Sequence, residues 1–221
     1  VNGQTLSSRA IVIATGARPR LPEIPGIEAV QPLTSDTVWA LRECPPRLLV
    51  IGGGPIGCEL SQAFQRLGSQ VTLVQRGERL LPREDPEASA CLTQQLISDG
   101  VDLRLRHQPL RFEVQDDQRR LNCLDLASNR DVVLVFDQLL LAVGRQANVS
   151  GYGAEQLQLQ VRSDGTLETD EYLATRFPNI YAVGDVTGPY QFTHVAAHQA
   201  WFAAVNALFS GFKRFKVDYR V

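Results

Sequence analysis

The 221-residue chain is 44% hydrophobic and 21% charged, enough apolar material to bury the core of one large or two small domains. With 22 basic residues against 24 acidic ones and a net charge of -2, it has no basic field for nucleic acid or anionic lipid. No apolar run approaches the ~18 residues of a membrane span and no signal peptide opens the chain, so the expected address is the cytoplasm, with no membrane partner.

In residues 1–16, VNGQTLSSRAIVIATG, Asn2-Gly3 is a hairpin-turn dipeptide and Ala10 to Ala14 reads as a short strand of the kind buried in a parallel sheet. The chain has no methionine and opens at Val1 on a hairpin edge, which predicts a piece of a longer protein. Residues 17–36 carry Pro19, Pro22, Pro25 and Pro32 and are expected to form an extended linker without ladder pairing. A short helix is expected over 37–42, stopped by Pro45-Pro46.

Residues 48–75, LLVIGGGPIGCELSQAFQRLGSQVTLVQ, organise the rest. A β-branched apolar run meets a glycine cluster, a helical pattern follows with Ile56, Leu60, Phe64 and Leu67 on one face, and Val71, Leu73 and Val74 close a βαβ unit. Its G-x-G-x-x-G falls at Gly52, Gly54 and Gly57. The first glycine permits the tight turn, the second lets a pyrophosphate approach bare backbone, and the third lets helix and strand pack closely. Pro55 suits the first helical position, and the free amides and positive end of that helix suit an anion.

A second amphipathic helix is expected over 85–98, with Ala88, Leu92 and Leu96 inward and Gly100 ending it, and then a strand at 101–105. Residues 109–136 alternate in the manner of an antiparallel meander. Apolar strands follow at 139–143, running into Gly144-Arg145, and at 180–183, running into Gly184-Asp185. A last helix is expected over 193–210, capped by Thr193, with Val195, Phe202, Val205 and Phe209 as its buried stripe. Cys44, Cys58, Cys91 and Cys123 form no redox or zinc spacing, and Cys58 and Cys91 are expected to be buried small hydrophobes. His194 and His198 stand one helical turn apart without a third ligand cluster, so no metal site is expected.

The three glycine-terminated strands IVIATG (11–16), LLVIGGGPIGCE (48–59) and NIYAVGDVTG (179–188), with VGR at 143–145, together resemble the pyridine nucleotide-disulfide oxidoreductase family of flavoproteins. ELSQAF (59–64) and REDPE (83–87) look most like its mercuric reductase branch, and dihydrolipoamide dehydrogenase also belongs to the family. The resemblance implies an α/β fold: a Rossmann-like, doubly wound parallel sheet with an antiparallel β-meander, plus part of an FAD-binding domain. Residues 1–16 would end the first FAD segment, 17–146 form the NAD(P)H domain, and 147–221 form the second FAD segment. It also implies that Gly52, Gly53, Gly54, Pro55, Ile56 and Gly57 bind NAD(P)H with Gly144 and Arg145. Thr15, Gly16, Gly184 and Asp185 would contact FAD, and Glu59 would lie by the flavin as a catalytic group.

Two departures stand out: Pro55 replaces the tyrosine that gates the nicotinamide pocket in glutathione reductases, and Ala147 replaces the usual proline before Asn148. The family's C-x-x-x-x-C pair, its FAD pyrophosphate loop and the C-terminal domain through which members form homodimers are absent from this stretch. The piece alone is therefore expected to be inactive and to carry no FAD.

The second strand of the βαβ unit ends in Gln75, where NAD-specific sites place a carboxylate against the ribose 2′-OH, and Arg76, Arg79 and Arg83 follow. An arginine meets a phosphate bidentately, so NADPH is the expected nucleotide, held by Gln75, Arg76 and Arg83. The competing reading is a solvated loop whose arginines are balanced by Glu78, Glu84 and Asp85. Residues alone leave open three activities. They are hydride transfer from NADPH through flavin to a disulfide, lipoamide or metal ion; an NAD(P)H oxidase or ferredoxin reductase type of flavoprotein; and a non-enzymatic nucleotide sensor.

Overall fold

The computed structural model describes residues 5–219, so the Asn2-Gly3 turn lies outside the described residues. In chain order the strands are β1 (Ile11–Ile13), β2 (Ala17–Pro19), β3 (Leu33–Thr34), β4 (Arg47–Ile51), β5 (Gln70–Gln75), β6 (Asp102–Leu105), β7 (His107–Gln115), β8 (Gln118–Asp125), β9 (Arg130–Phe136), β10 (Gln138–Leu141), β11 (Arg145–Ala147) and β12 (Ile180–Ala182). The α-helices are α1 (Pro55–Arg66), α2 (Pro86–Ser98) and α3 (Thr193–Phe209). Two compact units separate, residues 19–145 and residues 1–18 with 146–221; β2 and β11 pair as a two-stranded ladder.

The 19–145 unit is built on a parallel sheet in the order β3-β10-β4-β5-β6. Strand β4 has a partner on each side and an apolar layer on each face, which is why Leu48 to Ile51 is a continuous apolar run. Leu48 and Val50 face α1 and α2, while Leu49 and Ile51 face the opposite layer. Helix α1 begins with Pro55 in its first turn, and α2 with Pro86 behind Asp85, whose carboxylate accepts the Glu87 N–H.

The α/β class, parallel sheet and antiparallel meander are as the sequence predicts, but the layering is not. A doubly wound sheet implies helices on both of its faces. Instead α1 and α2 share one face, where Cys58, Leu60, Phe64, Leu92 and Leu96 gather. The other face is covered by β7-β8-β9, through Phe112, Leu121, Cys123 and Phe136. An alternating three-stranded sheet has one apolar face of its own to bury, and the flank of the parallel sheet receives it.

Four local expectations need correction. The proline-rich segment pairs after all: Pro19 ends β2, and β3 joins the sheet edge with Leu33 opposite Leu140. The expected helix over 37–42 is a single 3-10 turn at Val38–Ala40. The inward face of α1 is Gly57, Cys58 and Ser61 rather than Ile56 and Leu67, because Gly57 packs on the turn below it. In α2, Ser89 rather than Ala88 lies inward, its hydroxyl donating to the Leu80 carbonyl, and Cys91 is exposed.

In the other unit, β1 lies parallel to β12, Ile11 opposite Ile180 and Ile13 opposite Ala182. Helix α3 is apolar all round, which hid its orientation. The line that turns inward is Gln199, Ala203 and Asn206, not Val195, Phe202, Val205 and Phe209. Gln199 accepts the Gly184 N–H at 2.6 Å and donates to the Gly188 carbonyl and the Tyr219 hydroxyl. Asn206 exchanges bonds with the Phe215 backbone in both directions and donates to Tyr172. Two buried amides thus clamp three loops to one helix. The residue preceding α3 is Phe192, so Thr193 is not its cap. Among the described residues no helix is long and apolar enough to cross a membrane.

Candidate functional site

Parallel pairing brings the carboxyl ends of all five strands of the β3-β10-β4-β5-β6 sheet to one edge. The chain steps outward from β4 to β5 and β6, then returns to place β10 on the other side of β4. Strand order therefore reverses between β4 and β10, the position where open α/β sheets leave a ligand crevice. The loop after β4 carries Gly52, Gly53 and Gly54, and the turn after β10 carries Gly144 and Arg145, beside it.

Each glycine of the G-x-G-x-x-G is explained by its surroundings. Gly52 has φ +114° and a Cβ there would fall 2.3 Å from the Ala142 carbonyl oxygen. A Cβ at Gly57 would fall 1.8 Å from the Gly52 carbonyl oxygen, while one at Gly54 would meet nothing within 4 Å. Gly52 and Gly57 are thus demanded by packing. Gly54 is open, and nothing in the fold itself excludes a side chain there. It faces the start of α1, whose first-turn amides have no intrahelical acceptors and no side-chain cap; Pro55 is exposed and Ile56 half-buried in that turn. A pyrophosphate fits this cradle sterically and electrostatically.

Gln75 ends β5 with its side chain folded back over the glycine loop, Oε1 accepting the Gly53 N–H at 3.0 Å and Nε2 directed at the Arg79 carbonyl at 3.5 Å. The following loop separates its charges. Arg79 donates to the carbonyls of Pro82 and Glu84, Glu78 pairs with Arg106, and Asp85 caps α2. Arg76 and Arg83 are exposed, and among the described residues neither has a hydrogen bond or ion pair. Their guanidinium groups stay solvated, while the acids Glu78 and Asp85 are engaged elsewhere.

Arg145 reaches Ser35 and Asp36 after β3, at 3.2 and 3.5 Å. Glu59 is exposed on α1, its carboxylate without a hydrogen bond or ion pair among the described residues. In the other unit, β1 and β12 end side by side, which brings Thr15 and Gly16 to the same edge as Gly184 and Asp185. Asn148 organises that edge: its side chain donates to the Thr15 carbonyl and accepts from Arg18, its N–H meets the Gly16 carbonyl, and its own carbonyl accepts the Thr15 hydroxyl. Asp185 is half-buried in a short 3-10 turn.

Burial pushes the Cys58 thiol up to about 11 and the Cys123 thiol up to about 12, so neither is a nucleophile at neutral pH. His198 meets the Asp218 carbonyl at 2.8 Å, His194 stacks on Phe192, and no metal-holding group of side chains exists among the described residues. Sequence reasoning missed the inward turn of Gln75 and the clamp made by Gln199. A polar residue inside an apolar helix was the one available signal for the latter.

Comparison with known proteins gives the family of the chain. Residues 1–200 match the pyridine nucleotide-disulphide oxidoreductase family. The chain is 40% identical to mercuric reductase of Staphylococcus aureus over 222 aligned positions, covering 100% of this chain and 40% of that protein. It is 36% identical to glutathione reductase of Burkholderia cepacia (96% and 45% covered) and 33% to dihydrolipoyl dehydrogenase of Chlamydia trachomatis (99% and 45%). The solved structure of the HOCl-induced flavoprotein disulfide reductase RclA from Escherichia coli superposes with a TM-score of 0.84 at 32% identity, covering 96% of this chain and 47% of that one. The chain thus spans less than half the length of these relatives.

Proposed function

The chain belongs to the pyridine nucleotide-disulphide oxidoreductase family of flavoproteins, and on that premise we propose that residues 19–145 bind NADPH in preference to NADH. They would do so for a flavin-dependent oxidoreductase whose acceptor is a disulfide, lipoamide or a metal ion. The observation that carries the reading is the pair of unpartnered arginines, Arg76 and Arg83, on the loop that follows the neutral Gln75. A 2′-phosphate would meet two free guanidinium groups there, and no carboxylate ends the strand to repel it. Gly54 and the first turn of α1 would hold the pyrophosphate, with Gly144 and Arg145 beside them at the switch point.

Residues 1–18 and 146–221 would contribute Thr15, Gly16, Gly184 and Asp185 to an FAD site, and Glu59 would stand by the flavin. Bound FAD supplies the two-electron chemistry; the chain's own part is to orient the nucleotide and to hold charge against its phosphates.

Titrating the protein with NADPH and NADH tests the proposal. NADPH should bind more tightly, with a margin that narrows as salt rises because the arginines are exposed. Arg76→Ala should weaken NADPH about tenfold, as loss of one charged hydrogen bond does, and leave NADH nearly unchanged. Equal or tighter binding of NADH, or an Arg76→Ala variant with unaltered NADPH affinity, overturns it.

A further inference from the structure

We propose that Gln75 is a positioning residue for nucleotide selectivity, fastening the arginine-bearing loop to the glycine turn instead of touching the nucleotide itself. The inference rests on the reading that these two segments hold NADPH.

The contacts converge on Gly53. Its N–H is taken by Gln75 Oε1 at 3.0 Å, and its carbonyl accepts the Leu81 N–H at 2.8 Å. The Gln75 amide is packed between two glycines: a Cβ at Gly53 would lie 3.2 Å from its Cδ, and one at Gly77 would lie 3.0 Å from its Nε2. Nε2 points on to the Arg79 carbonyl. One side chain therefore links the turn before α1 to the loop that begins at Arg76 and reaches Arg83. Leu81 sits at φ +44°, a conformation a branched side chain rarely adopts, and its bond to Gly53 helps hold it there.

The chemistry suits glutamine in particular. Buried Gly53 needs an acceptor, which the amide oxygen supplies, while the amide nitrogen is directed at the Arg79 carbonyl. Glutamate offers acceptors only and would set a negative charge beside Arg76; leucine offers neither. With its amide engaged, Gln75 is not free to reach a ribose, so it acts on selectivity through where it holds Arg76 and Arg83.

Calorimetric titration of the full-length protein and its Gln75→Leu and Gln75→Glu variants with NADPH and NADH, at low and moderate salt, tests this. Gln75→Leu should weaken NADPH about tenfold and NADH about threefold or less, and should flatten the salt dependence of NADPH binding. A merely structural role would weaken both nucleotides alike and leave that salt dependence intact, which overturns the proposal. Gln75→Glu keeps an acceptor for Gly53 and serves if the leucine variant fails to fold. It should weaken NADPH without tightening NADH, and a gain in NADH affinity would show the side chain free to reach the ribose, overturning the positioning role. Wild-type protein that binds neither nucleotide removes the parent reading, and the inference with it. Wild-type selectivity for NADPH that both variants retain overturns the inference alone.

Discussion

Gly57 lies against the carbonyl of Gly52, with room for no atom between them: a methyl group at Gly57 would stand 1.8 Å from that oxygen. Alanine in place of a helical glycine ordinarily gains up to ~1 kcal/mol of propensity. Here the clash outweighs that gain, and Gly57→Ala should lose about 3 kcal/mol or more in denaturant melts. Gly54→Ala is the contrasting case. Gly54 has φ -80° and ψ -179°, extended backbone open to any residue, and its Cβ direction is empty. Stability should change by less than ~1 kcal/mol, while dinucleotide affinity falls at least tenfold. Equal effects of the two substitutions on folding would refute this division of roles.

Asp137 accepts the Arg47 N–H at 3.0 Å and Nε at 2.9 Å, fixing the start of β4 beside the start of β10. The Arg47 guanidinium, hydrogen-bonded to it, holds the Asp137 carboxyl below the usual carboxylate range. A carboxyl depressed in the folded state contributes stability that is fully present above its unfolded pKa of ~3.9 and is lost as pH falls through the lower folded value. Both side chains are about a third or more exposed, so the pair is worth on the order of 1 kcal/mol. The stability gap between wild type and Asp137→Asn should be full at pH 7 and shrink below about pH 4. A gap that persists unchanged at the acid end would exclude the ion pair as its source.

Gln199 is buried and saturates two backbone groups of the turn that contains Asp185, the Gly184 N–H and the Gly188 carbonyl. Gln199→Leu keeps the volume roughly constant and leaves both groups unpaired. Each orphan costs about 1–3 kcal/mol, so a loss of about 2–6 kcal/mol is expected. Hydrogen exchange should locate it: protection of the Gly184 amide falls, while β4 and β5 amides keep theirs.

The four cysteines should split two and two, since Cys44 and Cys91 are exposed and Cys58 and Cys123 are buried. Burial raises the two inner thiols to about 11 and about 12, so at pH 8 they are closed off both sterically and chemically. A thiol reagent should modify Cys44 and Cys91 in the native protein and reach the other two only in denaturant. Fast labelling of Cys58 without unfolding would mean that α1 opens locally.

What could be read in the sequence followed from strong local rules. The glycine loop, the βαβ unit around it and the meander announced themselves because turn chemistry and strand periodicity are local properties of residues 48–75 and 109–136. The layer opposite α1 and α2 was not legible, because the alternation of Phe112, Leu121 and Phe136 fixes which residues share a face and says nothing of what that face meets. Helix α3 misled for a related reason: with apolar residues on every side, its orientation is decided by where Gln199 and Asn206 find partners, and those partners lie in distant loops. At the candidate site, the arginine pattern showed from sequence where charge gathers, while the distinction between engaged Arg79 and unpartnered Arg76 and Arg83 came only with the loop's own hydrogen bonds.

The ladder between β1 and β12 has a consequence in time. Ile11 and its partner Ile180 are separated by 169 positions along the chain (180 − 11), whereas every strand of the β3-β10-β4-β5-β6 sheet falls between residues 33 and 141. During synthesis the larger sheet can close while β12 has not yet been made, so the β1-β12 pairing forms only after the translation of everything between. Pairing so distant in sequence is slow to nucleate. Refolding from denaturant should accordingly show two phases, the early one reporting on Trp39 in the 19–145 unit and the late one on Trp201 of α3.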